Sequence, residues 1–213
     1  MNCLTSSGDM MRIYELILAD GQEWALPKVL EDNHVLSDLR GQCQHHWVPI
    51  RMDLLTEGDE GTSRGYSDFP WYGSHVLILR SDAANGLRDI MSPYGEFLPL
   101  KGADGLELFN ATTVLDALDE GRSEIIRFDD GDILNIERYV FHQEVIGNSL
   151  IFKLPYRASN LYMQAGFIEQ INAMELCGIG FELVWSDEAD PVRKVIFPPR
   201  HRPHRKRQWW WSR

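Results

Sequence analysis

The feature that most constrains the fold is a succession of short apolar runs separated by turn residues. The runs alternate apolar with polar residues or are rich in branched and aromatic residues, as is typical of strands. Gly, Asp, Asn and Pro lie between them, where tight turns need them. The pattern predicts strands over Arg12–Leu18, Trp47–Leu54, His75–Arg80, Glu96–Leu100, Leu106–Asn110, Thr113–Leu118, Ile125–Phe128, Ile133–Phe141, Glu144–Ile146, Leu150–Leu154 and Gly180–Trp185.

Three segments instead have sequence patterns typical of helices. A short helix is predicted around Lys28–Asn33, and a longer one begins at Ser81, a residue suited to an N-cap. A third begins at Ser159 or Asn160, places its apolar residues on one face and ends at Gly178. Few helices among many strands predict an α+β fold, with a largely antiparallel sheet meander and a few helices packed on it.

Two turn signals pair neighbouring strands as hairpins. Asp129–Gly131 connects Ile125–Phe128 to the strand that begins at Ile133. Gly147–Asn148 has the composition of a two-residue hairpin loop between Glu144–Ile146 and Leu150–Leu154.

The length of 213 residues and the apolar content of 44% fit a single core. We expect an N-terminal extension over residues 1–10, one domain over 11–190 and a distinct tail over 191–213. Translation starts at Met1 or Met11. With no apolar run long enough to cross a membrane and no secretory signal, we expect a cytoplasmic protein. The three widely spaced cysteines argue against a disulfide framework.

The charge is unevenly distributed along the chain. All 32 acidic residues lie in 1–190, which carries a formal charge of −19, whereas 191–213 has eight basic residues and no acidic one. The body favours a cationic partner and disfavours nonspecific binding of nucleic acid. The tail also holds Trp209 to Trp211 and is expected to be flexible from about Pro198. It is either a terminal extension without a role of its own or a contact for nucleic acid or anionic lipid.

Motifs for common chemistries are missing from the sequence. It has no Gly-x-x-x-x-Gly-Lys loop, no Gly-x-Gly-x-x-Gly and no Gly-x-Ser-x-Gly. Cys43, His45 and His46, with His34 and Asp53 nearby, are the best zinc candidates, but their spacing matches no familiar site. We therefore expect no cofactor, no metal and no enzymatic activity.

Carboxylates are grouped in predicted turns, where water keeps them charged. Asp129-Asp130-Gly131-Asp132 departs from the calcium-loop pattern and is better explained as a hairpin turn. The candidate partner-binding residues are the acidic members of two such loops: Glu57, Asp59, Glu60, Asp129, Asp130 and Asp132.

The run Ser67-Asp68-Phe69-Pro70-Trp71 is the most distinctive short segment. It has two interpretations. The rings either form an exposed aromatic binding edge or fill the core from a rigid turn, which is the commoner role of large aromatic residues.

The order and spacing of several runs resemble one bacterial family. The runs include Trp47-Val48-Pro49, Ser67 to Trp71, Leu98-Pro99-Leu100, Asp116-Ala117-Leu118-Asp119 and Ile151 to Pro155. Together, over Met11 to Trp185, they resemble the DUF1629 family of immunity proteins, also called Imm11. The resemblance implies a protein made beside a secreted toxin of a polymorphic toxin system, such as a type VI secretion effector, and implies no catalytic residues.

The leading hypothesis is thus a cytoplasmic inhibitor that binds a cognate toxin stoichiometrically, with the acidic body masking a basic cleft such as that of a nuclease. Two alternatives remain. One is an enzyme that reverses a toxin's modification with carboxylates around Asp116 and Asp119. The other is a nucleic-acid-binding regulator that acts through residues 198–213. The sequence leaves the oligomeric state open.

Overall fold

The computed structural model of the protein describes residues 10–58, 61–102, 105–188 and 194–198. The helices are α1 (Asp32–Ser37), α2 (Ser81–Met91), α3 (Gln143–Ile146) and α4 (Ala165–Ala173), and a 3₁₀ turn, Ser92–Tyr94, follows α2. The strands are β1 (Arg12–Leu18), β2 (Trp24–Pro27), β3 (Arg51–Leu55), β4 (Leu77–Arg80), β5 (Gly95–Pro99), β6 (Lys101–Gly102), β7 (Leu106–Ala111), β8 (Glu124–Arg127), β9 (Ile133–Arg138), β10 (Ile151–Phe152), β11 (Tyr162–Gln164), β12 (Ile179–Ser186) and β13 (Val195–Ile196). The predicted α+β class is confirmed.

The main sheet has the strand order β10-β11-β1-β12-β13 and is antiparallel throughout. Its centre is β1, which pairs with β11 on one side and with β12 on the other. Successive side chains of a strand point to opposite faces. Accordingly Ile13 is buried in one apolar cluster, and Tyr14 and Leu16 are buried in another. The main sheet is therefore covered on both faces.

One face of the main sheet, called the helix side, packs on α4, and the same core continues to α2, which lies against β4, β5 and β7. Leu87 of α2 and Phe167 and Ile171 of α4 are buried there with Phe181 of β12. The opposite face, called the hairpin side, is covered by β8 and β9 and buries Ile136 with Phe141, Phe152 and Tyr162. The two faces thus bury different segments of the chain against a single sheet.

A second layer forms from two smaller sheets, β4-β7-β5 and β2-β3-β6. In β4, Leu77 and Leu79 join the core of the helix side, while Ile78 between them joins a third cluster. That third cluster includes Met52 of β3 and Leu36 of α1. Within these sheets β3 and β6 run parallel.

The run Ser67 to Trp71 ties β4 to the corner that precedes β12. The Ser67 hydroxyl donates to Gly178 O at 3.2 Å, and the Asp68 amide donates to Cys177 O at 3.0 Å while its carboxylate accepts from the Cys177 amide at 2.9 Å. Phe69 is buried and Trp71 packs against the same core. The interpretation of this run as a rigid turn with its rings in the core is confirmed.

A buried ion pair completes this joint. Arg80 Nη2 lies 2.5 Å from Glu23 Oε1, which also accepts from the Ser67 amide at 2.9 Å. Arg80 Nε donates to Ser67 O at 2.9 Å. The carboxylate of Glu23 thus accepts from the amide of Ser67, while the guanidinium of Arg80 donates to the carbonyl of the same residue. The ion pair between Glu23 and Arg80 compensates both charges where little water reaches them.

Several predicted strands and helices are confirmed, although β9 ends at Arg138 rather than at Phe141. They include β1, the long helix that begins at Ser81, the final strand β12 and the hairpin of β8 and β9 around Asp129–Gly131. Two elements were misplaced. The short helix lies later than Lys28–Asn33, at α1, and the strand predicted from Trp47 begins only at Arg51.

Three predictions were wrong. Thr113–Leu118 is not a strand, because it makes only isolated bridges, from Val114 to Lys153 and from Leu118 to Phe141. The predicted hairpin after Glu144 does not form: Glu144–Ile146 belongs to helix α3 and not to a strand, and Gly147 ends that helix with a positive φ of 53°. The third helix begins at α4 and not at Ser159 or Asn160, because Tyr162–Gln164 pairs with β1.

The predicted domain limits of 11–190 and 191–213 remain predictions. β13, within the range assigned to the tail, pairs with β12. Residues 1–9, 189–193 and 199–213 lie outside the described residues. Among the helices that the structure describes, none has the length and apolar character needed to cross a membrane.

We predict that Gly178→Ala destabilises the protein more than Gly131→Ala. Both glycines have positive φ, 98° and 92°, so both variants strain the backbone. A methyl group at Gly178 would also overlap Ser67, whereas nothing lies within 4 Å of the corresponding position at Gly131. Urea unfolding should show a free energy of unfolding lower by about 1–3 kcal/mol in Gly178→Ala than in Gly131→Ala. Equal losses would mean that the joint with Ser67 does not constrain the fold.

Candidate functional site

The predicted acidic residues do not form one cluster. Asp129, Asp130 and Asp132 lie exposed at the tip of the segment 124–138, here called the acidic hairpin. Glu57 is exposed beyond β3, in a loop whose base is held by Arg64 Nε donating to Glu57 O at 3.2 Å. Asp59 and Glu60 lie outside the described residues, so their assignment to a binding surface stays a prediction.

The tip of the acidic hairpin is a hydrogen-bonded turn. The Phe128 amide donates to Asp132 O at 2.9 Å, and the Gly131 amide donates to Phe128 O at 3.0 Å. Asp130 Oδ1 accepts from the Asp132 amide at 3.1 Å. Gly131 has a φ of 92°, which a residue with a side chain rarely adopts. The sequence of the tip thus fixes the backbone that carries these carboxylates.

Ion pairs orient the two strands below the tip. Arg127 bonds the Glu120 carboxylate at 2.6 Å and Gly131 O at 2.8 Å, while Arg138 bonds Glu124 across the strands at 2.7 Å. These side chains are solvent-exposed, so the pairs contribute little stability. Their effect is to set the direction of the side chains rather than to hold the hairpin to the core.

Large apolar side chains are exposed on the acidic hairpin. Ile125 and Ile136 face the hairpin side of the main sheet, where Ile136 is buried and Ile125 packs against it. In contrast, Ile126, Phe128 and Leu134 are 41%, 52% and 54% exposed. Exposed apolar residues beside charged ones are typical of surfaces that bind other proteins.

A groove of about 560 Å³, called the hairpin groove, runs between the acidic hairpin and the segment 156–160. Its hairpin wall includes Phe128, Asp130 and Leu134, and its opposite wall includes Tyr156 and Asn160. Two of the predicted acidic residues, Asp130 and Asp132, line it. The structure therefore brings part of the predicted acidic set against the exposed apolar residues.

A smaller space of about 360 Å³, called the polar recess, adjoins the groove and shares Asn135, Ile136, Tyr139 and Asn160 with it. Two carboxylates, Glu15 and Glu137, complete its lining. Glu15 Oε2 accepts from Asn160 Nδ2 at 2.8 Å and from the Tyr139 hydroxyl at 3.3 Å. The central strand β1 thus supplies a carboxylate to the wall of a recess formed by the hairpin.

Hydrogen-bonded tyrosines form the floor beside this recess. The hydroxyl groups of Tyr156 and Tyr162 lie 2.9 Å apart, and Tyr162 donates to Tyr139 at 3.4 Å. Burial raises the pKa of Tyr139 above its usual range, and the negative charge of Glu15 adds to this effect. Burial likewise raises the pKa of Tyr156 and Tyr162. The three hydroxyls therefore keep their protons at neutral pH and act as donors.

A larger and more open cleft, of about 870 Å³, lies at the end of β12. Trp185 and Phe141 contribute apolar surface, and the charged residues that line it are of both signs: Arg122, Glu137, Arg138, Glu144, Asp187 and Glu188. Carboxylates outnumber arginines in this cleft as well, so negative charge alone does not distinguish it from the hairpin groove. The hairpin groove differs in that strongly exposed apolar side chains, Phe128 and Leu134, line it.

The residues considered for catalysis or metal binding do not come together in a site within the described residues. Asp119 Oδ1 accepts from the Arg122 amide at 3.1 Å and so stabilises a turn, while Asp116 is exposed. Cys43 is exposed as a free thiol. Over the described ranges, no three His, Cys, Asp or Glu side chains lie close enough together to hold a metal ion.

Lys153 is a buried cation outside these grooves. It is 2% exposed, and Nζ donates to Leu39 O at 2.7 Å. Burial lowers its pKa to about 8. Burial and the charge of Lys153 together lower the pKa of His75 to about 4. Both groups lie inside the fold and away from the hairpin groove. We therefore assign them a role in the core and not in binding.

Sequence reasoning missed the apolar residues of the hairpin and the participation of Glu15 and Asn160. A signal for the first was present. Ile125 and Ile126 are adjacent, as are Ile133 and Leu134, and neighbouring residues of a strand face opposite sides. A two-stranded hairpin buries one side, so one member of each pair had to face outward. No local signal links Glu15 to Asn160, because the contact joins distant parts of the chain.

Residues 108–185 match the model of the Imm11 immunity protein family. The matched segment is somewhat more than a third of the chain and ends at Trp185, where the resemblance seen in the sequence also ends. Among curated proteins, none matches the chain significantly. The match confirms the resemblance to this family and supports a role as an immunity protein, which implies binding to a cognate toxin.

We predict that Lys153→Met removes a pH dependence of stability. The folded pKa of about 8 lies below the ordinary value of 10.5. Between these values the unfolded chain holds a proton that the folded chain has lost, so the free energy of unfolding rises with pH through this window. Urea titrations at pH 7.5 and 9.5 should show a rise in the wild type that exceeds that of Lys153→Met by about 2 kcal/mol. Equal changes in the two proteins would contradict a buried, charged Lys153.

Proposed function

We propose that the protein neutralises a cognate bacterial toxin by binding it directly, in a one-to-one complex, through the surface around the acidic hairpin. The observation that carries the proposal is the match to the Imm11 immunity proteins. The matched residues, 108–185, include the acidic hairpin and most of the lining of the hairpin groove. Binding without turnover is the simplest activity that this surface supports.

The charge of the chain favours a basic partner. Its net charge is −11, and residues 1–190, which carry nearly all of the fold, have a formal charge of −19. At physiological salt, an acidic surface attracts a cationic one over a distance of about 8 Å, the Debye length. Toxins that act on polyanions such as nucleic acids need basic clefts. A nuclease is therefore the kind of toxin that we expect.

The composition of the hairpin surface suits a tight interface. Stable protein complexes bury roughly 1,200–2,000 Å² in total, and a few apolar or aromatic anchors inside a polar rim supply most of the affinity. Phe128 and Leu134 offer such anchors, and Asp129, Asp130 and Asp132 lie exposed between them in the sequence, at the tip of the same hairpin. A partner can insert a side chain into the groove, and the exposed side chains of the hairpin can insert into a pocket of the partner.

The experiment that tests the proposal is co-expression with the product of the neighbouring gene. We expect that product to kill cells alone, to be harmless when this protein is present and to co-purify with it at one to one. Protection should fall once the toxin exceeds the immunity protein in amount. Protection at a small fraction of the toxin concentration, without a complex, would instead indicate an enzyme that reverses the damage.

We predict that reversing charge at the hairpin tip slows association. In Asp129→Lys/Asp132→Lys, two negative charges beside the contact become positive, so electrostatic steering weakens. Stopped-flow measurements with the toxin in 50 mM salt should give an association rate constant about 10-fold lower. The rate should also depend less steeply on salt.

The matched control is Asp20→Lys/Asp53→Lys. It makes the same change of net charge at two exposed carboxylates that lie outside the hairpin groove. If both double variants slow association equally, only the total charge matters and the hairpin tip is not at the interface.

A further inference from the structure

The hairpin groove brings two features together. One is an exposed apolar wall, where Phe128 and Leu134 are 52% and 54% exposed and also line the groove. The other is the polar recess, which continues from the groove through Asn135, Ile136, Tyr139 and Asn160. A ligand segment that packs on the wall can therefore reach into the recess.

The charges around these spaces are strongly biased. Two carboxylates, Glu15 and Glu137, line the polar recess. The groove adds Asp130 and Asp132 against a single cation, Arg157. These carboxylates attract an occupant that carries positive charge, and the attraction is stronger where the contact excludes water than in open solvent.

The floor of the recess is rigid, which favours a specific occupant. Glu15 is held by Asn160 and Tyr139, and Asn160 Oδ1 accepts from the Ser74 hydroxyl at 2.5 Å. Tyr139 is joined to Tyr162 and through it to Tyr156. The carboxylate of Glu15 is thus oriented by a buried hydroxyl, that of Tyr139, and by the half-buried amide of Asn160, so less ordering is needed on binding.

We propose that the hairpin groove receives a basic segment of the toxin, with an apolar residue of that segment against Phe128 and Leu134 and a cationic side chain inside the polar recess beside Glu15 and Glu137. The inference rests on the proposed function and names the partner chemistry of that site. The toxin segment is therefore expected to contain an apolar residue next to an arginine or a lysine.

The first test removes the apolar wall. Phe128→Ser/Leu134→Ser is compared with Leu30→Ser/Val48→Ser, whose side chains are 79% and 75% exposed in loops outside the groove. With the toxin from the neighbouring gene as the probe, calorimetric titration should show at least a 100-fold increase in Kd for the first variant. The control should change by less than about 3-fold. Thermal melts should show all of these proteins folded, because the substituted side chains are exposed.

The second test removes charge from the recess. Glu15→Gln keeps an oxygen that accepts from Asn160 and Tyr139 but removes the negative charge. It should raise Kd for the toxin about 10-fold and reduce the salt dependence of Kd. Glu169→Gln, an exposed carboxylate on α4, should leave both unchanged. A loss of affinity with unchanged salt dependence would overturn the placement of a cation in the recess.

The outcomes separate this inference from the proposed function. If the wild type binds and neutralises the toxin but the groove variants bind equally well, the inference is wrong and the proposed function stands. If the wild type neither binds nor protects, both fail.

Two other occupants would overturn the inference. A dimer of the chain alone that Phe128→Ser/Leu134→Ser dissociates would assign the groove to a second copy. The C-terminal segment 199–213 would be the occupant if those substitutions leave toxin binding unchanged and alter the tryptophan emission of the full chain but not of a chain that ends at Pro198.

Discussion

The pairing of β1 with β12 is the constraint on which the rest of the structure depends. It joins the first described strand to one near the far end of the chain and makes β1 the centre of a sheet with both faces covered. A buried sheet needs a partner on each face, and the chain supplies helices on one and the acidic hairpin on the other. The position of Gly178, at the corner before β12, then fixes Ser67 and the buried pair of Glu23 and Arg80.

This arrangement explains why the candidate site lies at the hairpin. A two-stranded hairpin has one face for the core and leaves the other to solvent, so a sequence with apolar residues on both faces exposes some of them. Here the exposed residues adjoin a groove whose opposite wall and floor come from the core itself, through Tyr139, Tyr156 and Asn160. The site is therefore supported by the core, since the inward-facing residues Ile125 and Ile136 of the hairpin pack against the main sheet.

The sequence predicted the features that depend on neighbouring residues. Strand alternation identified β1 and β12, and the turn residues identified the hairpin. The position of α2 was predicted from Ser81, although Ser81 is its first helical residue and its hydroxyl donates to Gly105 O instead of capping the helix. It failed where distant contacts decide. Tyr162–Gln164 reads as the start of a helix but pairs with β1, and Gly147 reads as a hairpin turn but ends α3. The acidic tip was identified from composition, whereas the recess was not, because Glu15 and Asn160 meet only through the fold.

The central claim is that the acidic hairpin and its groove form the surface that binds the toxin. The most direct measurement is hydrogen–deuterium exchange of the full chain, alone and in complex with the toxin of the neighbouring gene. The account predicts slower exchange in the complex over residues 124–138 and 156–160. It is contradicted if a stable complex slows exchange only elsewhere, for example over the cleft residues 184–188 or the loop that contains Glu57.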